Sequence, residues 1–138
     1  MRLWTILLAA WLVSLGATFG ALFIGEVMGQ IPCTLCWYQR IAMFPLPLIL
    51  GIALWRSDEN VWRYALPLSL AGACIAAWHV AVFYGIAPQT IVPCTASGPS
   101  CSGDSMTLFG TVPLPLLSLG AFTLIAVLLE ASRRRKPS

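Results

Sequence analysis

From Leu3 to Gly25 the chain carries no charged side chain, a stretch about as long as the ~20 apolar residues an α-helix needs to cross a bilayer. Three further apolar runs follow, at about 33–55, 64–86 and 111–129, and Arg40 alone breaks them with a charge. Hydrocarbon offers no water to backbone N–H and C=O groups, so runs of this length fold as helices that bond internally. The pattern predicts an all-α integral membrane protein, a four-transmembrane-helix bundle. A single membrane domain is expected over 1–138, with loops 26–32, 56–63 and 87–110 and a tail 130–138. Of the 138 residues, 59% are hydrophobic and only 9% charged, far less charge than a soluble domain of this size carries. Arg2 ahead of the first run could open a secretory signal, but the run exceeds the usual core of about 7–15 residues, so a retained helix is expected.

Lysine and arginine fix the expected orientation. Arg2, Arg56, Arg63 and the cluster Arg133, Arg134, Arg135 and Lys136 fall on one side of a four-span arrangement, while 26–32 and 87–110 contain neither residue type. The positive-inside rule then puts both termini and the 56–63 loop in the cytoplasm. The net charge of +3 resides in that tail and reads as a topology signal. No basic face interleaved with aromatics exists elsewhere, which speaks against nucleic-acid binding.

Within the runs several residues stand out. Gly16 and Gly20 form a small-x-x-x-small face that predicts close approach of a neighbouring helix, against the plainer reading of chance glycines. Pro45 and Pro47 predict a kink or break in the second span. Trp37, Tyr38 and Trp55 read as interfacial aromatics. Cys74 is most simply a small hydrophobe. His79 is either a satisfied packing residue or a proton-handling group, because an imidazole in hydrocarbon needs a partner.

The remaining cysteines form two pairs, Cys33 with Cys36 and Cys94 with Cys101, both in the outward-facing half of the expected topology. If a helix opens here, Cys33, Cys36 and Arg40 fall at i, i+3 and i+7 on one face. The positive helix N-terminus and Arg40 both favour thiolate, the form that attacks disulfides. A structural staple and half of a zinc site are the plainer readings. A bridge across two residues removes little chain entropy and makes a poor staple. A Gly/Ser/Pro-rich loop around Cys94 and Cys101 suits a pair that another protein must reach, because exchange passes through a mixed disulfide. The pairs therefore read as a relay, with two inert disulfides or one four-cysteine zinc site as alternatives. No haem, dinucleotide or iron–sulfur spacing is present, and a lipid-soluble quinone is the acceptor that matches the location. Arg40, one turn deeper than Cys36, could stabilise negative charge on a quinone oxygen or on that thiolate.

The string Cys33-Thr34-Leu35-Cys36-Trp37-Tyr38-Gln39-Arg40 at the start of the second of four spans closely resembles the DsbB family of disulfide bond formation proteins. The order matches too, with the second pair lying between spans three and four; the related vitamin K epoxide reductases place their loop cysteines first. The resemblance implies a bacterial cytoplasmic (inner) membrane enzyme. Such an enzyme reoxidises an extracytoplasmic thioredoxin-fold (DsbA-like) dithiol oxidase and reduces ubiquinone or menaquinone from the membrane pool. By that resemblance Cys33 and Cys36 are the quinone-proximal pair, with Cys36 beside the quinone, and Arg40 is the quinone-site arginine. Cys94 matches the cysteine that bonds to the partner, Cys101 the one that relays to Cys33, and His79 loosely matches a family histidine near the quinone. Six residues separate Cys94 from Cys101, which resembles the short-loop branch.

No resident metal is expected. A rival from another class is a membrane metal-binding or transport protein that uses the cysteines as soft ligands; it would want further Met, His or carboxylate ligands within the spans, where His79 is the candidate. A scaffold with two structural disulfides is the third reading.

Overall fold

The computed structural model describes residues 2–27, 34–86, 107–108 and 112–135. Helix α1 (Leu3–Leu22) continues into a π-helical turn, Phe23–Val27. Helices α2 (Thr34–Met43) and α3 (Pro45–Arg56) follow, then α4 (Trp62–Phe83) and α5 (Leu114–Arg135). Ahead of α5 a two-residue antiparallel ladder pairs β1 (Thr107–Leu108) with β2 (Val112–Pro113), Thr107 opposite Pro113 and Leu108 opposite Val112. Four stretches are long and apolar enough to cross a membrane: Leu3–Val27, Leu35–Arg56, Trp62–Phe83 and Leu114–Arg135. Large apolar side chains point outward along them, including Phe19, Leu48, Leu70, Val127 and Trp55, the last 91% exposed. Lipid, not water, is the solvent such a surface fits.

The second span is broken where its prolines predict. Phe44 keeps a right-handed helical backbone and its N–H still reaches the Arg40 carbonyl at 2.9 Å. Pro45 and Pro47 then supply no N–H to the ladder, so the helix divides into α2 and α3. The break has a packing consequence: α3 lies against α1, whereas α2 leans on α4. Trp11 of α1 fastens the lower half, donating from Nε1 to the Pro47 carbonyl at 3.0 Å, and the missing side chain of Gly51 leaves room for its indole.

Helix α5 packs against both α1 and α4. On α4 a stripe of Ala65, Ser69, Gly72 and Ala76 is buried, and α5 answers with Phe122, Ile125 and Leu129, each wholly buried. Ser69 Oγ donates to the Phe122 carbonyl at 2.9 Å. A Cβ on Gly72 would overlap the Phe122 ring. Small residues set against large ones let two helices approach closely where no hydrophobic drive separates lipid from protein contacts. The close approach expected of Gly16 and Gly20 is found here instead. At those two glycines an added Cβ meets nothing within 4 Å.

Chain direction gathers Arg2, Arg56, Arg63 and Arg133 to Arg135 at one end of the bundle, where α1 begins, α3 ends, α4 begins and α5 ends. The Arg63 and Arg133 guanidinium groups lie 5.7 and 5.5 Å from the Trp62 ring. Glu130 pairs with Arg133 at 2.5 Å and Arg134 at 3.1 Å. Helix α5 thus runs beyond residue 129 through the basic cluster to Arg135.

Candidate functional site

The half of the bundle remote from this arginine cluster contains a cavity of about 460 Å³. Its shape follows from the break at Phe44. Because α2 leans toward α4, the C-terminal half of α1 is left facing α2 and the start of α5 across open space. Gly16, Ala17, Gly20 and Ala21 form the α1 wall, and Leu114, Ser118 and Phe122 the α5 wall. Leu12 and Leu117 also line the cavity and are about half exposed on the outer surface (53% and 46%), so its rim reaches the outside of the bundle.

The chemistry is concentrated on the wall made by α2 and α4. Cys36, Gln39 and Arg40 fall at i, i+3 and i+4 on α2, which turns all three to one side, and His79 joins them from α4. Cys36 is partly buried and packs beside Leu35 and Val82. Arg40 donates from Nη2 to the Ala21 carbonyl at 3.0 Å and stacks 5.4 Å from the centroid of Trp37. Gly25, in the π-helical turn, leaves space for the guanidinium: a Cβ there would stand 2.8 Å from Nη2. His79 is buried, and its Nδ1 lies 2.8 Å from the Gln39 amide nitrogen. The arrangement puts a thiol, a cation and an imidazole around one apolar space.

Of the residues singled out by the sequence, Cys36, Arg40 and His79 are thus brought together. Cys33, Cys94 and Cys101 lie outside the described residues. Cys74 is exposed on the outer face of α4 and takes no part in the cavity wall. Two residues of the site were not picked out by sequence reasoning. Gln39 carried a signal, since it follows Cys36 by three positions and a polar side chain on that face needs a buried partner. Gly25 carried none, because its use depends on where Arg40 reaches.

The model of the family described as "Disulfide bond formation protein DsbB" matches residues 2–131. The chain belongs to the DsbB family. A probable disulfide formation protein of Metapseudomonas resinovorans is 62% identical over 132 residues, covering 96% of this chain and 92% of that one. Disulfide bond formation protein C of Bacillus subtilis (strain 168) is 44% identical over 126 residues, covering 88% and 87%. A probable disulfide formation protein of Deinococcus radiodurans is 40% identical over 139 residues, covering 95% and 90%. No solved structure matches the chain. Membership agrees with the resemblance carried by Cys33 to Arg40 and with four apolar membrane-length helices. This DsbB-family chain is a multi-pass membrane protein and a disulfide-forming oxidoreductase.

Proposed function

We propose that this DsbB-family protein reoxidises an extracytoplasmic thioredoxin-fold dithiol oxidase and delivers the electron pair to a membrane quinone seated in the cavity. The observation that carries the proposal is the cavity itself. An apolar space whose rim reaches the outer surface has Cys36, Arg40 and His79 on a single wall, which suits an amphipathic ring with a lipid tail. The partner's two thiols become a disulfide by exchange through Cys94 and Cys101, which leaves Cys33 and Cys36 reduced. Their reoxidation releases two electrons and two protons, and a bound quinone takes up both to leave as quinol.

The protein's own part is electrostatic and positional. The Arg40 charge favours negative charge at an oxygen in the cavity. Its bond to the Ala21 carbonyl holds it there, and among the described residues no acid forms an ion pair with it. His79 lines the same space. Arginines clustered at the opposite end support an orientation with the cavity half toward the cell exterior, where disulfides persist.

The test is stoichiometric. Purified protein receives a reduced thioredoxin-fold dithiol and a short-chain ubiquinone or menaquinone, and both thiol loss and quinone reduction are followed. One quinone should be consumed per disulfide formed. Dithiol oxidation without matching quinone consumption would remove the quinone from the reaction.

A further inference from the structure

Helices α4 and α5 bring guanidinium groups and an indole together at the arginine-rich end of the bundle. Trp62 opens α4, and Arg133 and Arg134 lie in the last turn of α5. The guanidinium carbons of Arg63 and Arg133 stand 5.7 and 5.5 Å from the centre of the Trp62 ring, within cation–π range. Glu130 answers part of this charge, its Oε1 accepting from Arg133 at 2.5 Å and from Arg134 at 3.1 Å. Arg63 forms no ion pair among the described residues. Of the two acids in the turn before α4, Asp58 accepts from Tyr64 Oη and the Asn60 N–H, and Glu59 forms no ion pair among the described residues. We propose that Trp62, Arg63 and Arg133 form a binding site for the phosphate headgroup of an anionic phospholipid.

Depth, charge and chemistry all fit such a headgroup. The residues stand at the ends of two apolar stretches of membrane length, Trp62–Phe83 and Leu114–Arg135, where headgroups lie. One carboxylate shared by Arg133 and Arg134, with Arg63 beside them, leaves a positive excess that a phosphodiester complements. The Arg133 and Arg134 side chains are 47% and 77% exposed, so an anion can reach them. A guanidinium gathered against a ring still presents a fork of N–H groups that matches phosphate oxygens. Nε1 of Trp62 is buried with no hydrogen-bond partner, so the indole serves the site through its ring. The plainer alternative is a set of arginines that snorkel and mark one side of the membrane, each acting independently of Trp62. This site lies at the far end of the bundle from the cavity and does not rest on the quinone reading.

The test uses the full chain, purified in a neutral detergent and offered equimolar phosphatidylglycerol and phosphatidylcholine, with retained lipid counted by native mass spectrometry. Wild type should retain phosphatidylglycerol in preference. Arg63→Gln should lower that retention about fivefold, the equivalent of ~1 kcal/mol for one basic residue near an anionic headgroup. Trp62→Leu keeps every charge and should cost a similar factor, because the guanidiniums lose the ring that gathers them. Arg56→Gln removes a cation from the same end but outside the cluster, and should retain lipid as wild type does. Equal retention of the two lipids by wild type, or unchanged retention in Arg63→Gln or Trp62→Leu, overturns the site. Equal losses in Arg56→Gln and Arg63→Gln also overturn it and leave only diffuse surface charge. If Trp62→Leu does not fold, Trp62→Phe keeps a ring and drops only the unpartnered N–H. Wild-type retention there supports the proposal, and a fivefold loss overturns it.

Discussion

Arg40 donates from Nη2 to the main-chain carbonyl of Ala21 at 3.0 Å, so a cation beside the cavity is anchored by backbone from another helix. A carboxylate in that place would hold the guanidinium equally well but cancel its field. The carbonyl orients it and leaves the charge available. The anchor depends on Gly25, whose missing side chain gives the guanidinium its place.

Gly25→Ala should therefore act at a distance. Its Cβ, 2.8 Å from Nη2, displaces the guanidinium from Ala21. A charge-assisted hydrogen bond is worth about 1.5–3 kcal/mol, so quinone reduction should slow by roughly ten- to a hundredfold. Thermal stability should change little, because the group displaced is the end of a long side chain. Quinone kinetics normalised to folded protein check this, and an unaltered rate would show that the anchor does not position Arg40.

Gly16 and Gly20 predict the opposite of a helix-packing motif. Since nothing lies within 4 Å of either added Cβ, Gly20→Ala should fold as well as wild type or better, helix propensity favouring alanine by about 1 kcal/mol. Gly20→Leu projects into the cavity and should raise the apparent KM for quinone with the fold intact. A lowered melting temperature in Gly20→Ala would mean that a helix does pack on this face.

The packing role belongs to Gly72. Gly72→Ala places a methyl where the wholly buried Phe122 ring stands. Overpacking of this kind costs about 1–3 kcal/mol. A lowered midpoint in detergent unfolding, relieved by Phe122→Leu in the same chain, is the expected result.

Much of this was legible before the structure. Uncharged runs of membrane length declare helices because lipid leaves the backbone no other partner. Pro45 marks the break because its missing N–H is a local property of the residue. Cys36, Arg40 and His79 could be nominated because polar groups in such runs are costly without a use. What stayed hidden was pairwise geometry. Gly16, Gly20 and Gly72 look alike in sequence, and only the lean of α2 toward α4 decides which glycines face a cavity and which face Phe122. Gln39 likewise becomes informative once α4 is seen to bring His79 opposite it.

The relay makes a prediction that needs only the order of attack. In Cys101→Ser the thiol that would release the partner from Cys94 is gone, so a Cys94 mixed disulfide with the dithiol oxidase should accumulate. Non-reducing electrophoresis of the two proteins together reads it directly. Membrane-impermeant reagents added outside intact cells should label reduced Cys94 and Cys101 and leave Cys74 unmodified. Trapping in Cys94→Ser but not in Cys101→Ser would exchange the two roles.

Arg40 itself allows the most discriminating substitution. Arg40→Met retains an apolar stem and removes the charge, so quinone reduction should slow much more than exchange with the partner, which occurs through the loop pair. Groups that stabilise developing charge commonly contribute about 2.7–4 kcal/mol, or 10²–10³-fold in rate. The loss here should fall at or below the lower end, because the positive N-terminus of α2 acts on the same space. Arg40→Lys should be intermediate: it keeps the charge, but a single ammonium lacks the planar fork that can hold the Ala21 carbonyl and still face the cavity. A residue that merely snorkels to the headgroups would behave differently. Arg40→Lys would then match wild type, and Arg40→Met would lower the yield of folded protein without altering kinetics per molecule. Initial rates against quinone concentration, normalised to folded protein, separate the two patterns. Unchanged turnover and apparent affinity in Arg40→Met would end the quinone-site role of this residue.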